Sequence, residues 1–351
     1  MKITHNQILA CIQQSSKDDS IKFSKSVEVE EIGHISILEL SSSLKTGING
    51  TFVFRSSLTS EITQRQVLLI KYLTKCGFAL PKLILSGSAD DELIGNWYMT
   101  EFVESSFNNL DQKQPYKFFK SLNSILNRPV LIAKLLAELH SIDITNLVDQ
   151  IEFESNSFDW HEFLWTRAKG IEGAGIDDVL RWLEKNEPKC MELCITHGDI
   201  TSANILIGPD GPKIIDWEIA GLAPASRDVA CAYLSISSIG SNGPKPARPV
   251  FSFIGNKLSN RFLKKYQKEI GHSLDLSELL WHQVLYSMNR LFWAARNINI
   301  EMSENGFTSV ENSTKSFALI DASQCPFDVD LIKEITGISI EGKIKCLTPD
   351  I

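Results

Sequence analysis

The chain has 351 residues, of which 43% are hydrophobic, and a net charge of −8 at neutral pH. This length can supply the core of one two-lobed unit or of two domains. The acidic balance lacks the basic footprint of a nucleic-acid-binding protein, so we expect no DNA or RNA partner. No apolar run reaches the length of a membrane span, the start lacks the apolar core of a signal peptide, and the 7 cysteines are an odd number. We therefore expect a cytoplasmic protein with no membrane partner.

The first hundred residues are predicted to form a leading helix and then a small sheet with a second helix. Residues 1–20 have the pattern of a short amphipathic helix, and a second helix is predicted from Ser60 to Cys76, with Ser60 as its N-cap and Gly77 at its end. Alternating or short apolar runs bounded by turn residues predict strands. These strands lie at 27–32, 35–40, 51–55, 81–85 and 97–102. The pattern predicts five strands around one helix.

Beyond Glu104 the apolar spacing becomes helical. Helices are predicted at 131–143, 177–184, 226–235 and 279–296. A segment rich in proline and glycine at 237–249 is predicted to be a loop, either a linker between helices or a lid over a substrate. Residues 301–351 have no pattern that places them. We expect an N-terminal domain at 1–103 and a larger, mostly helical domain at 104–351.

Two short apolar runs joined by a proline and glycine turn carry two carboxylates and an amide. Asp199 and Asn204 lie five positions apart before the first run, and Asp216 follows the second run twelve positions after Asn204. The pattern predicts a β-hairpin with polar residues at its ends. Phosphoryl transfer in kinases needs such a set, an Asp to accept the hydroxyl proton and an Asn and a second Asp to hold Mg²⁺.

The motif His-Gly-Asp-x-x-x-x-Asn, followed by Ile-Asp-Trp-Glu, resembles the aminoglycoside phosphotransferase and choline kinase-like family. The members of that family are small-molecule kinases with a protein-kinase-like fold. The resemblance implies an α+β fold with a small lobe of antiparallel sheet plus one helix and a large, mostly helical lobe. It also implies that ATP and Mg²⁺ are cofactors, that Asp199 is the catalytic base, and that Asn204 and Asp216 are the magnesium ligands. His197 would brace the catalytic loop.

The same resemblance assigns residues to nucleotide binding. Arg55 closes the third strand, where the family has its phosphate-binding Lys or Arg. Its partner on the following helix is expected at Gln66, which supplies no charge, or at Glu61 if the helix is offset. Backbone groups of Glu101 and Val103, at the end of the last strand, would meet the adenine edge.

Two further residues have both a structural and a functional interpretation. His140 lies in a segment that resembles the family's Leu-Ala-x-Leu-His-x-Ile-Asp helix, and we expect it to be structural. Asp228 lies near the start of the helix after the motif. In the family the matching Asp anchors the catalytic loop, and the alternative is a favourable charge at a helix N-terminus.

Three functions fit these features. The first is an ATP- and Mg²⁺-dependent kinase that phosphorylates a hydroxyl of a small molecule, which could be aminoglycoside-, choline- or sugar-like and could carry an amine. The second, a protein kinase, is disfavoured because Trp217 and Glu218 replace the Phe-Gly of Asp-Phe-Gly, and the short distance to Asp228 leaves no room for an activation loop. The third is a catalytically weak or inactive kinase-like nucleotide-binding protein. We expect a monomer or weak dimer, and the sequence does not decide between ATP and GTP.

Overall fold

The structure is a computed structural model that describes residues 4–31, 33–44, 48–56, 60–89, 94–104, 115–148, 164–166, 168–189, 192–238, 248–296, 300–303, 306–309, 319–321 and 325–346. The chain divides into two compact units, one made of residues 1–122 with 199–220 and the other of residues 123–198 with 221–351. The domain boundary expected at residue 103 stays a prediction.

The helices and strands are numbered in chain order. The helices are α1 (His5–Ser16), α2 (Ser60–Lys75), α3 (Pro115–His140), α4 (Thr145–Val148), α5 (Ile176–Lys185), α6 (Ala225–Ser237), α7 (Arg248–Ile270), α8 (Leu276–Arg296) and α9 (Pro326–Thr336). The strands are β1 (Lys22–Glu31), β2 (Gly33–Ser41), β3 (Gly50–Ser56), β4 (Leu83–Ser88), β5 (Asn96–Glu101), β6 (Ile171–Ala174), β7 (Leu193–Thr196), β8 (Ile205–Gly208), β9 (Gly211–Ile214), β10 (Gly221–Pro224), β11 (Ile300–Ser303), β12 (Gly306–Ser309), β13 (Leu319–Asp321) and β14 (Glu341–Cys346).

The first unit is built on an antiparallel five-stranded sheet in the order β1–β2–β3–β5–β4. Because successive side chains of a strand point to opposite faces, alternate residues of β2 and β3 enter one core. Leu38, Phe52 and Phe54 join Ile8 and Ile12 of α1 in this core. The helix α2 packs against β4 and β5. The predicted arrangement of five strands with one helix is therefore confirmed.

The predicted hairpin of the motif is also present in the first unit. β8 and β9 pair from Ile205 opposite Ile214 to Gly208 opposite Gly211. Gly211 has φ +108°, a conformation that glycine adopts readily and other residues rarely do, and this permits the tight turn. At the open end the Ile215 N–H donates to the Asn204 carbonyl at 2.9 Å. The hairpin therefore brings the residues that flank its two strands next to each other.

The second unit is mostly helical. Its core joins residues from α5, α8, α9 and the strands β6 and β14. Trp281 of α8 is buried, and its indole N–H donates to the Leu183 carbonyl of α5 at 2.9 Å. The predicted helices at 131–143, 177–184, 226–235 and 279–296 correspond to α3, α5, α6 and α8.

Part of the C-terminal segment that the sequence did not place completes this unit. β14 pairs with β6, where Lys345 lies opposite Glu172, and with β13. The pairing joins residues far apart in the chain, so no local pattern announces it. Most of the loop predicted at 237–249, from residue 239 to residue 247, lies outside the described residues. Among the described helices, none combines the length and the apolar character needed to cross a membrane.

Candidate active site

The hairpin holds the amide and one carboxylate of the motif at its open end, and a hydrogen-bonded turn brings in the other carboxylate. Asn204 Nδ2 donates to the Asp199 carbonyl at 2.8 Å and to Asp199 Oδ2 at 3.1 Å. The Thr201 N–H donates to the same Asp199 carbonyl at 3.0 Å. Because the amide nitrogen of Asn204 is engaged, its oxygen is the atom left to meet a metal ion.

The segment after β9 is fixed by a buried tryptophan between two carboxylates. Trp217 is 3% exposed, its indole N–H donates to the Ile214 carbonyl at 3.1 Å, and its ring packs edge-on against Phe78. Asp216 has φ +69°, in the left-handed region that is uncommon for residues other than glycine. A backbone held in that region marks a site at which the surrounding structure imposes the conformation.

Arg55 at the end of β3 lies against both of those carboxylates. Its Nη1 is 3.0 Å from Asp216 Oδ1 and 3.8 Å from Glu218 Oε1. Burial acts to lower the pKa of Arg55, but Tyr98, Asp216 and Glu218 together raise it, so the guanidinium is charged. Burial also raises the pKa of Tyr98 to about 12, so its hydroxyl keeps its proton. The pair is a charge-assisted bond inside one compact unit.

The expected pairing of Arg55 with Gln66 is not what the structure shows. Gln66 lies buried on α2, but within the described residues it is not among the partners of the Arg55 guanidinium. A guanidinium binds a carboxylate more strongly than a neutral amide, and Asp216 and Glu218 supply two carboxylates. The side chain of Glu61, the alternative partner, lies outside the described residues.

An apolar cavity of about 170 Å³, which we call the slot, lies beside this ion pair, within the first unit. Its walls come from β2, β3, β5 and the hairpin, and include Ile35, Val53 and Ile214. Arg55 and Asp216 line it as well. A mostly apolar cavity with a few precisely placed polar or charged groups is the usual form of a small-molecule site.

The segment predicted to meet the adenine lines the same cavity. The Glu101 N–H donates to the Lys82 carbonyl at 2.9 Å, and the Phe102 N–H donates to the Thr51 carbonyl at 3.2 Å. Among the described residues the Val103 N–H has no such backbone acceptor. The Val103 N–H is therefore a main-chain donor at the wall of the cavity.

The Glu101 side chain fixes this edge. Its Oε1 accepts the Lys82 N–H at 3.0 Å and lies 3.9 Å from Lys213 Nζ on β9. If the two strands continued their antiparallel pairing, the Lys82 N–H would donate to the Glu101 carbonyl. Here it donates to the Glu101 side chain instead. The assignment of Glu101 and Val103 to nucleotide binding stays a prediction.

In the second unit, Asp228 holds the two residues that precede Asp199 in the chain. Its Oδ2 accepts the His197 N–H at 2.7 Å, and its Oδ1 accepts the Gly198 N–H at 2.7 Å. The Tyr286 hydroxyl donates to the Gly198 carbonyl. Burial acts to raise the pKa of Asp228, but the hydrogen bond with His140 and the nearby positive groups lower it, so the carboxylate is charged. Asp228 therefore binds the loop, and it is not merely a charge at the start of α6.

His197 itself is fully buried at the end of β7. The contact to Asp228 is made by its backbone N–H. Its assignment to bracing the loop stays a prediction, as do the roles of Asp199, Asn204 and Asp216.

Several residues of the site were missed at the sequence level. The sequence contained a cue for Glu218, because it lies two positions after Asp216 in the same motif. In the structure both side chains reach Arg55. Tyr98 and Tyr286 had none, since each meets its partner through contacts distant in sequence.

The family model described as the phosphotransferase enzyme family (APH) matches residues 44–251, which is more than half of the chain. In mouse, the protein called acyl-CoA dehydrogenase family member 10 is 21% identical over 187 residues, which is 49% of this chain. The chain aligns with only 16% of that relative's length.

Two solved structures share the fold. A protein provisionally described as an aminoglycoside phosphotransferase, from Ralstonia eutropha JMP134, is 14% identical with a TM-score of 0.60, over 96% of this chain and 100% of that one. An APH(2'') enzyme, solved with GDP and kanamycin, is 12% identical with a TM-score of 0.53, over 94% and 98% of the two chains. At such identities the likeness shows the fold alone. The predicted α+β, protein-kinase-like fold, with a small lobe of antiparallel sheet plus one helix and a large, mostly helical lobe, is confirmed.

Proposed function

Because the chain belongs to the phosphotransferase enzyme family, we propose that it is an ATP- and Mg²⁺-dependent kinase that transfers the γ-phosphoryl group to a hydroxyl of a small molecule. The observation that carries the proposal is the cluster at the open end of the hairpin. Asp199 is bonded to Asn204, and Asp216 is bonded to Arg55, all within one compact unit that also contains the apolar slot.

The donor set suits a magnesium ion. Asp216 offers a carboxylate and Asn204 an amide oxygen, and Mg²⁺ prefers oxygen ligands, with one or two carboxylates plus phosphate groups. Bound there, the ion would neutralise charge on the β- and γ-phosphates. No sulfur or imidazole ligand is needed in this assignment.

Asp199 is the candidate base. As the acceptor oxygen bonds to the γ-phosphorus and the bond to the nucleoside diphosphate breaks, the hydroxyl proton passes to the Asp199 carboxylate. The hydrogen bond from Asn204 Nδ2 to Asp199 Oδ2 orients that carboxylate. Asp199 thus positions the nucleophile, which is where most of the catalysis in phosphoryl transfer arises.

Arg55 and the slot account for the nucleotide. The slot would take the base, with the Val103 N–H as donor, and Arg55 would meet the phosphates. Since Arg55 contacts Asp216, a phosphate must share or replace that contact. Glu218 can keep the guanidinium oriented while this happens, because it lies 3.8 Å from Arg55 Nη1.

The acceptor is proposed at the level of its chemistry, a hydroxylated small molecule of the aminoglycoside, choline or sugar kind. The APH(2'') neighbour was solved with kanamycin, a molecule of this kind. The excess of acidic residues suits an acceptor that also carries an amine.

A second candidate is a nucleotide-binding protein with little turnover. It is favoured by two observations, the neutral Gln66 on α2 and the direct bond between Arg55 and a proposed metal ligand. The complete set of Asp199, Asn204 and Asp216 favours the kinase.

The test is a screen of hydroxylated amines and sugars, read by nucleoside diphosphate release and by the mass of the acceptor. The kinase predicts acceptor-dependent release that needs Mg²⁺, stops with a chelator, and is absent in Asp199→Asn. The matched control is Asp210→Asn, which changes an exposed carboxylate at the closed end of the same hairpin. Magnesium-dependent nucleotide binding without any phosphorylated acceptor would support the second candidate instead.

A further inference from the structure

One side of α7 carries an exposed row of apolar and basic residues along most of its length. Positions 3, 4, 7, 11, 14 and 18 residues after Val250 lie on the same side of the helix as Val250, because an α-helix makes one turn in 3.6 residues. All of these side chains are exposed. We call this row the stripe, and it consists of Val250, Phe253, Ile254, Lys257, Arg261, Lys264 and Lys268.

The opposite side of α7 is packed into the second unit, and this packing fixes the direction of the stripe. Leu258, Phe262 and Tyr266 are at most 6% exposed, and the rings of Phe262 and Tyr266 stack with their centroids 6.4 Å apart. A Cβ atom at Gly255 would lie 2.5 Å from the Ser237 carbonyl oxygen of α6, so the two helices are in close contact there. The helix therefore cannot turn the stripe inward without losing these contacts.

The stripe has an apolar part followed by a basic part. Val250 is 63% exposed, Phe253 is 62% exposed and Ile254 is 38% exposed. Where the two parts meet, Lys257 Nζ lies 5.4 Å from the centroid of the Phe253 ring. The basic part places four positive charges on one side of a helix, in a chain whose net charge is −8.

We propose that the stripe is a docking surface for an anionic lipid membrane, on which α7 lies with its axis along the membrane surface. The apolar side chains enter the boundary between headgroups and acyl chains, and the basic side chains meet the anionic headgroups. Contact of this kind needs no membrane-spanning helix. It departs from the expectation of no membrane partner, which rested on the lack of a spanning segment. The inference goes beyond the proposed function and does not rest on it.

The charge near the contact outweighs the net charge of the chain. At physiological salt the Debye length is about 8 Å, so acidic residues elsewhere on the chain are largely screened from a membrane that touches the stripe. The acidic residue of α7 itself, Glu269, lies off the stripe and is paired with Lys265. Each Lys or Arg near an anionic membrane strengthens binding about fivefold, so the basic part supplies on the order of 10²-fold or more.

Other occupants of the stripe fit less well. A second copy of the chain, related by two-fold symmetry, would place the basic part against its own copy or bury it against the apolar part, and both arrangements are unfavourable. A nucleic acid would bind the basic part but leave the apolar part in water. An anionic membrane satisfies both parts at once.

The test is cosedimentation of the full chain with vesicles of two compositions, phosphatidylcholine alone and phosphatidylcholine with roughly 30% phosphatidylserine. The charge variant combines Lys264→Glu with Lys268→Glu. Its matched control combines Lys185→Glu with Lys189→Glu, which makes the same change in net charge at exposed lysines outside α7.

A second pair of variants tests the apolar part. Phe253→Ser removes its largest side chain, and the control Leu276→Ser removes a leucine that is 65% exposed at the start of α8. Every substituted side chain is exposed, so the thermal transitions should stay close to that of the parent, and this is measured for each variant.

We expect the parent to bind the vesicles with phosphatidylserine at least about 10-fold more tightly than those without it. Salt at about 1 M, where the Debye length is about 3 Å, should remove most of this preference. The charge variant should bind the anionic vesicles on the order of 10²-fold more weakly, and Phe253→Ser about 5- to 20-fold more weakly. Both controls should stay within about threefold of the parent.

The proposal is overturned if the parent does not prefer the anionic vesicles, or if Lys185→Glu with Lys189→Glu weakens binding as much as the charge variant does. Two further results would assign the stripe to another partner and overturn it as well. The first is binding of a DNA duplex as tight as that of the anionic vesicles, with no effect of Phe253→Ser on either. The second is a dimer without vesicles that Phe253→Ser dissociates. None of these measurements needs turnover, so a failure of the proposed function leaves the test intact.

Discussion

Asp199 is linked to Asn204 by a side-chain hydrogen bond of 3.1 Å, and this link separates their proposed roles. Asp199→Asn should keep nucleotide affinity, because no nucleotide contact is assigned to its carboxylate. It should lower kcat on the order of 10²–10⁴-fold, the usual contribution of a general base. Nucleotide affinity by calorimetry and kcat by product formation test this. A kcat within a few-fold of the parent would rule out Asp199 as the base.

Asp216 is bonded to Arg55, and two opposite effects follow from its removal. Asp216→Ala should abolish the enhancement of ATP binding by Mg²⁺, because the principal carboxylate ligand is lost. Without Mg²⁺, the same variant should bind ATP at least as tightly as the parent, because the Arg55 guanidinium is released to the phosphates.

Calorimetric titration of ATP with and without Mg²⁺ measures both effects of Asp216→Ala. The matched control is again Asp210→Asn, on the same hairpin. An unchanged magnesium enhancement in the variant would mean that Asp216 is not a metal ligand.

The sequence indicated most of this residue set. The spacing of Asp199, Asn204 and Asp216 is local, because one hairpin joins them, and a local pattern is visible in the chain. The carboxylates that Arg55 meets were not predicted, because they depend on how β3 meets a segment about 160 positions later. Neither strand pattern nor helix period carries that information.

At the scale of elements, one buried carboxylate lies between two helices of the second unit. Asp328 on α9 is 5% exposed, and its Oδ1 is 3.4 Å from Arg290 Nε on α8. Burial raises the pKa of Asp328 from 3.8 to about 6, although Arg290 acts to lower it. The folded state therefore holds the proton more tightly than the unfolded state does.

The sign of the pH effect follows from this shift. Asp328 contributes full stability below its unfolded pKa, and the contribution is lost as pH rises through about 6. The shift of roughly two pKa units corresponds to about 3 kcal/mol in the free energy of unfolding. Asp328→Asn should remove this pH-dependent loss, so the variant should gain stability relative to the parent above about pH 7.

Urea unfolding at about pH 4.5 and about pH 8 measures the difference for Asp328→Asn. Asp330→Asn, an exposed carboxylate on the same helix, is the control. If the free energy of unfolding has the same pH dependence in the parent and in Asp328→Asn, ionisation of Asp328 does not destabilise the folded state.

Elements differed in how far the sequence could place them. α2 was predicted within one residue because a serine and a following glycine lie at its two ends, and Gly77 has φ +77°. The role of Ser60 as an N-cap stays a prediction. β14 was not predicted, because its pairing with β6 joins residues about 170 positions apart. Such a strand depends on the folded partner and not on its own pattern.

For the whole molecule, nucleotide binding should raise the thermal transition, since a ligand that binds only the folded state stabilises it. We expect ATP with Mg²⁺ to stabilise more than GTP with Mg²⁺, and either nucleotide to stabilise less without the metal. Thermal unfolding with each nucleotide at equal concentration measures this, and adenosine serves as a control for the slot alone. A larger shift with GTP would show that the slot selects guanine and that the ATP assignment is wrong.

The central claim is that this chain moves a phosphoryl group from a nucleotide to a hydroxyl by means of the hairpin cluster. The most direct measurement is mass spectrometry of the acceptor after incubation with Mg²⁺ and ATP, run in parallel for the parent, Asp199→Asn and Asp210→Asn. We predict that the parent and Asp210→Asn add one phosphoryl group to an acceptor, with one ADP released for each product molecule, and that Asp199→Asn does not. ADP release that always yields free phosphate and never a phosphorylated acceptor, or equal product from Asp199→Asn, would contradict the claim.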